Sequence, residues 1–274
     1  MNVNRRQFLG AAAVGGASQA LRADPLGMPI GCQTWPVRQG MGKDFEGTLR
    51  ELAGIGFKTI EMCSPPSYPE FRPLGSLTPA QMRATIEGAG LRCESCHYQF
   101  RELKENLDER IAFAKELGLK QMVLSTFGLP ANASMADYKK AAGELNQIGE
   151  RVQKAGMQMG YHNHHNEFKE LEGVLIYDEL MRTFDPKLIK MQFQVAVVSL
   201  GYEAATYLKK YPGRFLSMHL ADYSTADKTA VAVGSGVVDW KKLFAAAKTG
   251  GVRNYFVEMD LREMKLSYDY LHKL

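Results

Sequence analysis

Eight times between Met28 and Leu274 the chain passes from a short apolar run to a longer helical pattern, and this repetition constrains the fold more than any single motif does. The strand-like runs fall at Pro29–Thr34, Lys58–Met62, Leu91–His97, Gln121–Ser125, Gln158–Asn163, Leu188–Gln194, Phe215–Leu220 and Asn254–Met259. Helical patterns separate them at Phe45–Ile55, Thr78–Ala89, Asn106–Leu117, Ala136–Ala155, Val174–Phe184, Tyr202–Tyr211 and Trp240–Thr249, with a last one near Leu266–Leu274. Such alternation predicts βαβ units around a parallel sheet. Gly56, Gly90, Gly118, Gly156 and Gly251 stand between a helix and the next strand, where a left-handed residue closes a helix without steric cost.

Eight comparable units favour a closed (β/α)8 TIM barrel as a single domain, an architecture that takes about 250 residues. A doubly wound sheet would carry a glycine fingerprint after its first strand, whereas Ile30-Gly31-Cys32-Gln33-Thr34-Trp35 has none, and no P-loop occurs. The chain is 45% hydrophobic and 23% charged, enough apolar material for a large core and outside the range of disordered segments.

The N-terminus is expected to stand apart from the barrel. Arg5-Arg6 precedes a short run from Phe8 to Ala20 that is rich in Gly and Ala, and small residues follow up to Ala23. This pattern predicts a twin-arginine export signal over residues 1–23, a barrel over 24–274 and a periplasmic location. The run is too short for a membrane span. Residues 1–23 hold three arginines and no acid, so without them the formal charge drops from +4 to +1. No basic block remains, which argues against nucleic acid as a partner. The sequence leaves homo-oligomer formation open. Cys32, Cys63, Cys93 and Cys96 are expected to be packing residues at strand ends; Cys93-Glu94-Ser95-Cys96 lies in a strand rather than opening a helix, where a reactive thiol is usually found.

Strands of a covered parallel sheet should be nearly all apolar, so polar groups at their C-terminal ends need another explanation, either structural, such as a hydrogen-bonded core histidine at His219 or an arginine-paired Glu61, or functional. In a barrel those ends form the mouth that holds the active site. Glu61, His97, the segment Tyr161–Glu167, Gln192, Gln194, His219 and Glu258 all fall there. His162 and His164 share one parity, while that of His165 points it away from the lumen. Histidine with glutamate suits a divalent transition metal, which would stabilise the enediolate formed when a proton leaves the carbon beside a sugar carbonyl. Glu258 or Glu61 would then be the base.

Gly160-Tyr161-His162-Asn163-His164-His165-Asn166-Glu167-Phe168, Tyr211-Pro212-Gly213-Arg214-Phe215 leading to His219-Leu220-Ala221-Asp222, Val233-Gly234-Ser235-Gly236-Val237-Val238-Asp239-Trp240 and Tyr255-Phe256-Val257-Glu258-Met259-Asp260 carry a resemblance. Together they resemble the sugar phosphate isomerase/epimerase family of xylose isomerase-like barrels. The resemblance implies metal ligands from strands five to eight, which by position are His162 or its neighbour His164, Gln194, His219 and Glu258. It implies a divalent metal, Mn, Zn, Mg or Co. Gln194 stands where relatives usually carry aspartate, and a neutral carbonyl oxygen binds a hard cation less well than a carboxylate. Either Glu61 or Glu167 supplies the missing charge, or the site binds sugar by hydrogen bonds alone.

Export implies an unphosphorylated sugar, keto-sugar or glycoside. The expectation is therefore an isomerase, epimerase or lyase with Glu258, His219 and His164 as catalytic groups and Glu61, His97, Glu167 and Gln194 positioning a small carbohydrate. A non-catalytic exported carbohydrate-binding barrel is the alternative that Gln194 permits. An endonuclease-like activity lacks both the ligands for a trinuclear zinc cluster and the basic surface.

Overall fold

The computed structural model describes residues 24–274; residues 1–23, on which the export expectation rests, lie outside the described residues. Eight parallel strands close into a barrel in the order β1-β8-β7-β6-β5-β4-β3-β2. They are β1 Gly31–Gln33, β2 Thr59–Cys63, β3 Arg92–Gln99, β4 Gln121–Thr126, β5 Gln158–His162, β6 Ile189–Gln194, β7 Phe215–Leu220 and β8 Asn254–Val257. Each strand pairs with its neighbour in the chain, as helical crossovers between parallel strands produce. The predicted (β/α)8 barrel is the observed fold.

The helix Phe45–Ile55 has its predicted bounds, and Pro79–Gly88, Leu107–Leu117, Met135–Lys154, Ala204–Lys210 and Trp240–Gly250 differ from expectation by one or two residues at an end. Two differ more. Val174 and Leu175 pair with Glu170–Leu171 in a hairpin, which delays the next helix to Ile176. The last helix spans Leu261–Leu271 because the Asp260 carboxylate accepts from the Glu263 amide and caps it earlier than the apolar pattern suggests. The short helices Arg38–Lys43 and Phe100–Glu105 and the 3-10 segment Pro69–Ser76 were not anticipated; they sit in the loops after β1, β3 and β2 and wall the mouth.

Side chains alternate along each strand, so Thr59, Glu61 and Cys63 of β2 share one face, as do Ser95 and His97 of β3. The lower barrel is tightly filled: a Cβ at Gly31 would come within 2.5 Å of Thr59 Oγ1 and 2.7 Å of the Phe256 ring. The four cysteines are buried and free, and burial pushes each thiol above its ordinary range, so they pack rather than react. Among the described residues no helix is long and apolar enough to cross a membrane.

Candidate active site

Glu61, midway along β2, is fully buried. An isolated carboxylate there would cost several kcal/mol, and only paired, hydrogen-bonded charges persist at such positions. The inward residues of the neighbouring strands meet that demand. Gln33 Nε2 donates to one oxygen and Gln192 Nε2 to the other, both at 2.8 Å, and Ser95 Oγ donates as well. His219 Nε2 lies 2.5 Å from Glu61 and His97 Nε2 lies 3.1 Å away. Burial alone would raise the Glu61 pKa, but the imidazoles of His97 and His219 hold it well below the usual carboxylate range.

Glu258 follows β8 and is half-buried on the far side of His219. Its Oε2 is 3.0 Å from His219 Nδ1 and accepts from Gln194 Nε2 at 2.6 Å. Burial would lower the His219 pKa, but Glu258 and Glu61 outweigh it and raise it to about 10. An imidazolium is thus held between two carboxylates. Burial pushes Glu258 up while His219 pulls it down, and the net direction is down, so it is ionised at neutral pH.

His162 behaves oppositely: dehydrated, and surrounded by His219, His164 and His97, it is held well below the imidazole range and is neutral. Its ring centroid lies 4.3 Å from that of His219 and 5.1 Å from that of His97. The strand ends at His162, so parity does not place His164; the Glu167 carboxylate does, by accepting the His164 amide at 2.7 Å at the start of the 3-10 segment His165–Phe168. His164 is dehydrated against its neighbours and shifted below the usual range, yet its ring is exposed to solvent. That exposure reduces the size of the shift, and the direction still leaves it neutral at pH 7. His165 is exposed and meets Ser199 Oγ at 3.0 Å, the outward placement expected of it, though from the 3-10 segment and not from strand parity.

A cavity of about 690 Å³ opens over this cluster, with His97, His162, His164, Gln194 and Glu258 in its lining. The aromatic residues Trp35, Tyr68, Phe100 and Phe127 line it as well, with Gln99, Arg101, Ser125 and Thr126 among them. No sequence expectation covered those aromatic residues, because they lie in loops, where periodicity is silent. Gln33, Ser95 and Ser217 were also missed, although each is a polar residue at an inward position of an otherwise apolar strand, and that was a usable signal.

Three imidazoles, those of His97, His162 and His219, bring ligand atoms within 4.8 Å of one another. His162 Nδ1 is buried without a hydrogen-bond partner, the kind of unsatisfied ring nitrogen that a metal would occupy. Neutral imidazoles suit zinc or a similar transition metal better than magnesium. Both His219 nitrogens already meet carboxylates, so loading a metal on it requires a proton and one hydrogen bond to leave.

The placements revise several expected roles. Gln194 is not arranged as a ligand: its amide nitrogen, which has no free lone pair, faces Glu258, and its carbonyl oxygen accepts from the Ala196 amide. His97, expected to touch substrate, joins the imidazole group as well as lining the cavity. Glu61 is sealed beneath the site, where no substrate reaches it, and Glu167 is turned toward Tyr161 Oη and the His164 amide rather than the cavity. His219 is also fully buried, so it acts on Glu258 rather than directly on a substrate. Glu258 and His164 are the predicted catalytic groups that line the cavity.

Residues 49–267 match the family model described as the xylose isomerase-like TIM barrel. An inosose dehydratase of Geobacillus thermodenitrificans is 25% identical over 244 residues, covering 78% of this chain and 80% of that protein. The crystal structure of a sugar phosphate isomerase/epimerase from Parabacteroides distasonis superposes with a TM-score of 0.74 at 24% identity, covering 96% of this chain and 98% of that one. An IolI protein with a bound zinc atom superposes with a TM-score of 0.67 at 13% identity, covering 90% and 94%.

Proposed function

The chain belongs to the xylose isomerase-like TIM barrel family, and from that premise we propose that this carbohydrate-modifying enzyme removes a proton from the carbon beside the carbonyl of an unphosphorylated keto-sugar or keto-glycoside. One observation carries the reading: Glu258 reaches the cavity as a carboxylate while His219 and Gln194 hold its Oε2 from behind. A carboxylate fixed this way is positioned before substrate arrives, which lowers the entropic cost of proton transfer. The cation behind it weakens it as a base, so it suits only a C–H already acidified by a neighbouring carbonyl.

His164, neutral and on the same cavity, is the second proton carrier. Isomerisation and epimerisation return a proton to carbon, and elimination delivers one to a leaving hydroxyl or alkoxide. The proton that Glu258 has taken up is available for either, and the neutral His164 can accept the proton of a substrate hydroxyl and give it back. The name of the dehydratase relative supports elimination, and that of the isomerase/epimerase supports the others. Where a metal is held, His97, His162 and His219 would hold it, and it would polarise the substrate carbonyl. The zinc of the IolI protein supports a metal in a barrel of this fold.

Arg5-Arg6 supports export by the twin-arginine route, and a periplasmic enzyme would meet unphosphorylated sugars. Sequencing the N-terminus of secreted protein tests this, with cleavage near Ala23 as the expected result.

The chemistry is tested by following hydrogen–deuterium exchange by NMR on keto-sugars and keto-glycosides in deuterated water. Exchange at the carbon beside the carbonyl, lost by at least about a hundredfold in Glu258→Gln, is expected. Sugar binding with no exchange or turnover would favour the non-catalytic binding barrel instead.

A further inference from the structure

The proposed chemistry uses only the polar cluster of the cavity. At about 690 Å³ the cavity lies in the range, about 300–1,000 Å³, that encloses drug-sized ligands, and its lining also includes Trp35, Tyr68, Phe100 and Phe127, interspersed with Gln99, Arg101, Ser125 and Thr126. From the half-buried Trp35 and Tyr68, and from Phe100 and Phe127 on the same cavity, we infer that the site contains a second subsite that takes the flat apolar face of a ring joined to the reacting sugar, with Trp35 as its specificity-determining residue. The inference rests on the proposed reading for what sits against Glu258.

The aromatic residues are held rigidly. Arg38 lies over the Trp35 ring with its guanidinium carbon 4.3 Å from the centroid, and is itself fixed by Glu70 at 3.1 Å and by the Trp35 carbonyl at 3.0 Å. Tyr68 meets Trp35 edge to face at 5.7 Å and donates its hydroxyl to Ser125 Oγ at 2.8 Å. Phe100 and Phe127 pack edge to face at 5.1 Å. The Trp35 backbone amide donates to Gln33 Oε1, and Gln33 in turn donates to Glu61, so the main chain that carries the indole is tied to the buried network. An aromatic surface fixed before binding loses little entropy when a ring stacks on it. Axial C–H bonds of a pyranose and the face of an aryl group offer the same complementarity to it, so a second sugar and an aromatic aglycone are the two sources of the ring.

The chain has two tryptophans. Trp240 is buried and donates to Asp222, so fluorescence changes on ligand binding report Trp35. The test titrates the protein with free sugars, methyl glycosides, phenyl glycosides and disaccharides in gluco, galacto and xylo configurations. In at least one configuration a ring-bearing glycoside should bind about tenfold tighter than its methyl counterpart and alter the emission. Calorimetry on Trp35→Ala should show that gap removed with methyl-glycoside affinity kept, and Trp35→Phe should retain most of it. No gap in any configuration, or a gap that survives Trp35→Ala, overturns the subsite. The phenyl and disaccharide arms tell which ring is preferred. Binding is read without turnover, so a gap without proton exchange would sink the proposed chemistry and leave the subsite standing, while exchange without a gap would do the reverse.

Discussion

His219 Nε2 lies 2.5 Å from a carboxylate oxygen of Glu61, with both side chains fully buried at the centre of the barrel. The opposite ring nitrogen meets Glu258 at 3.0 Å. One imidazolium thereby connects a carboxylate that no ligand touches with one that faces the cavity. The geometry of Glu258 is set from below, and the stability of the barrel and the readiness of the site depend on the same three residues.

Glu61→Gln should therefore be costly. The amide keeps the shape but removes the charge that His97 and His219 face, and breaking a buried ion pair from one side costs about 3–5 kcal/mol. Denaturant unfolding of the metal-free protein should show a loss of that order without a change in slope. A midpoint equal to that of the wild type would mean that the buried charge is not stabilised by its partners as described.

The pH dependence of stability follows from the directions of the shifts. The folded pKa of His219, about 10, lies above the ordinary imidazole value, so its contribution is complete below about pH 6.5 and is lost as pH rises through about 10. Glu61 and Glu258 are shifted below the ordinary value, so theirs is complete above about pH 4.5 and is lost as pH falls through their folded values. Thermal midpoints of the metal-free protein should hold between roughly pH 5 and 7 and decline on both sides. In His219→Gln the alkaline decline should flatten; an unchanged alkaline limb would assign it to other groups.

Metal uptake should release protons. His162 is neutral, but His219 carries a proton that a ligand nitrogen cannot keep, so zinc binding near pH 7 should expel about one proton per ion and tighten as pH rises. Calorimetry in buffers of different ionisation enthalpy measures the number. His162→Ala should weaken binding by at least about tenfold, since it removes the imidazole whose Nδ1 is otherwise unused. Binding that is independent of pH and of His162 would place the ion elsewhere.

The eightfold alternation of strand and helix sufficed, in the sequence alone, for the barrel, its strands and most helix bounds, because hydrophobic periodicity is a local property and closure follows from the number of units. The same logic placed Glu61, His97, His219 and Glu258 on one rim, since parity and strand ends are also local. What each of them does was decided only by the tertiary structure. Glu61 and Glu258 both follow apolar strand positions, yet one lies midway along β2, sealed beneath His219, and the other lies just past the end of β8 and reaches the cavity. Whether Gln194 offers its oxygen or its nitrogen depends on Glu258, 64 positions later in the chain. Trp35 and Tyr68 meet across two loops with no period to mark them. Such roles arise from distances between residues remote in sequence, and no local pattern encodes them.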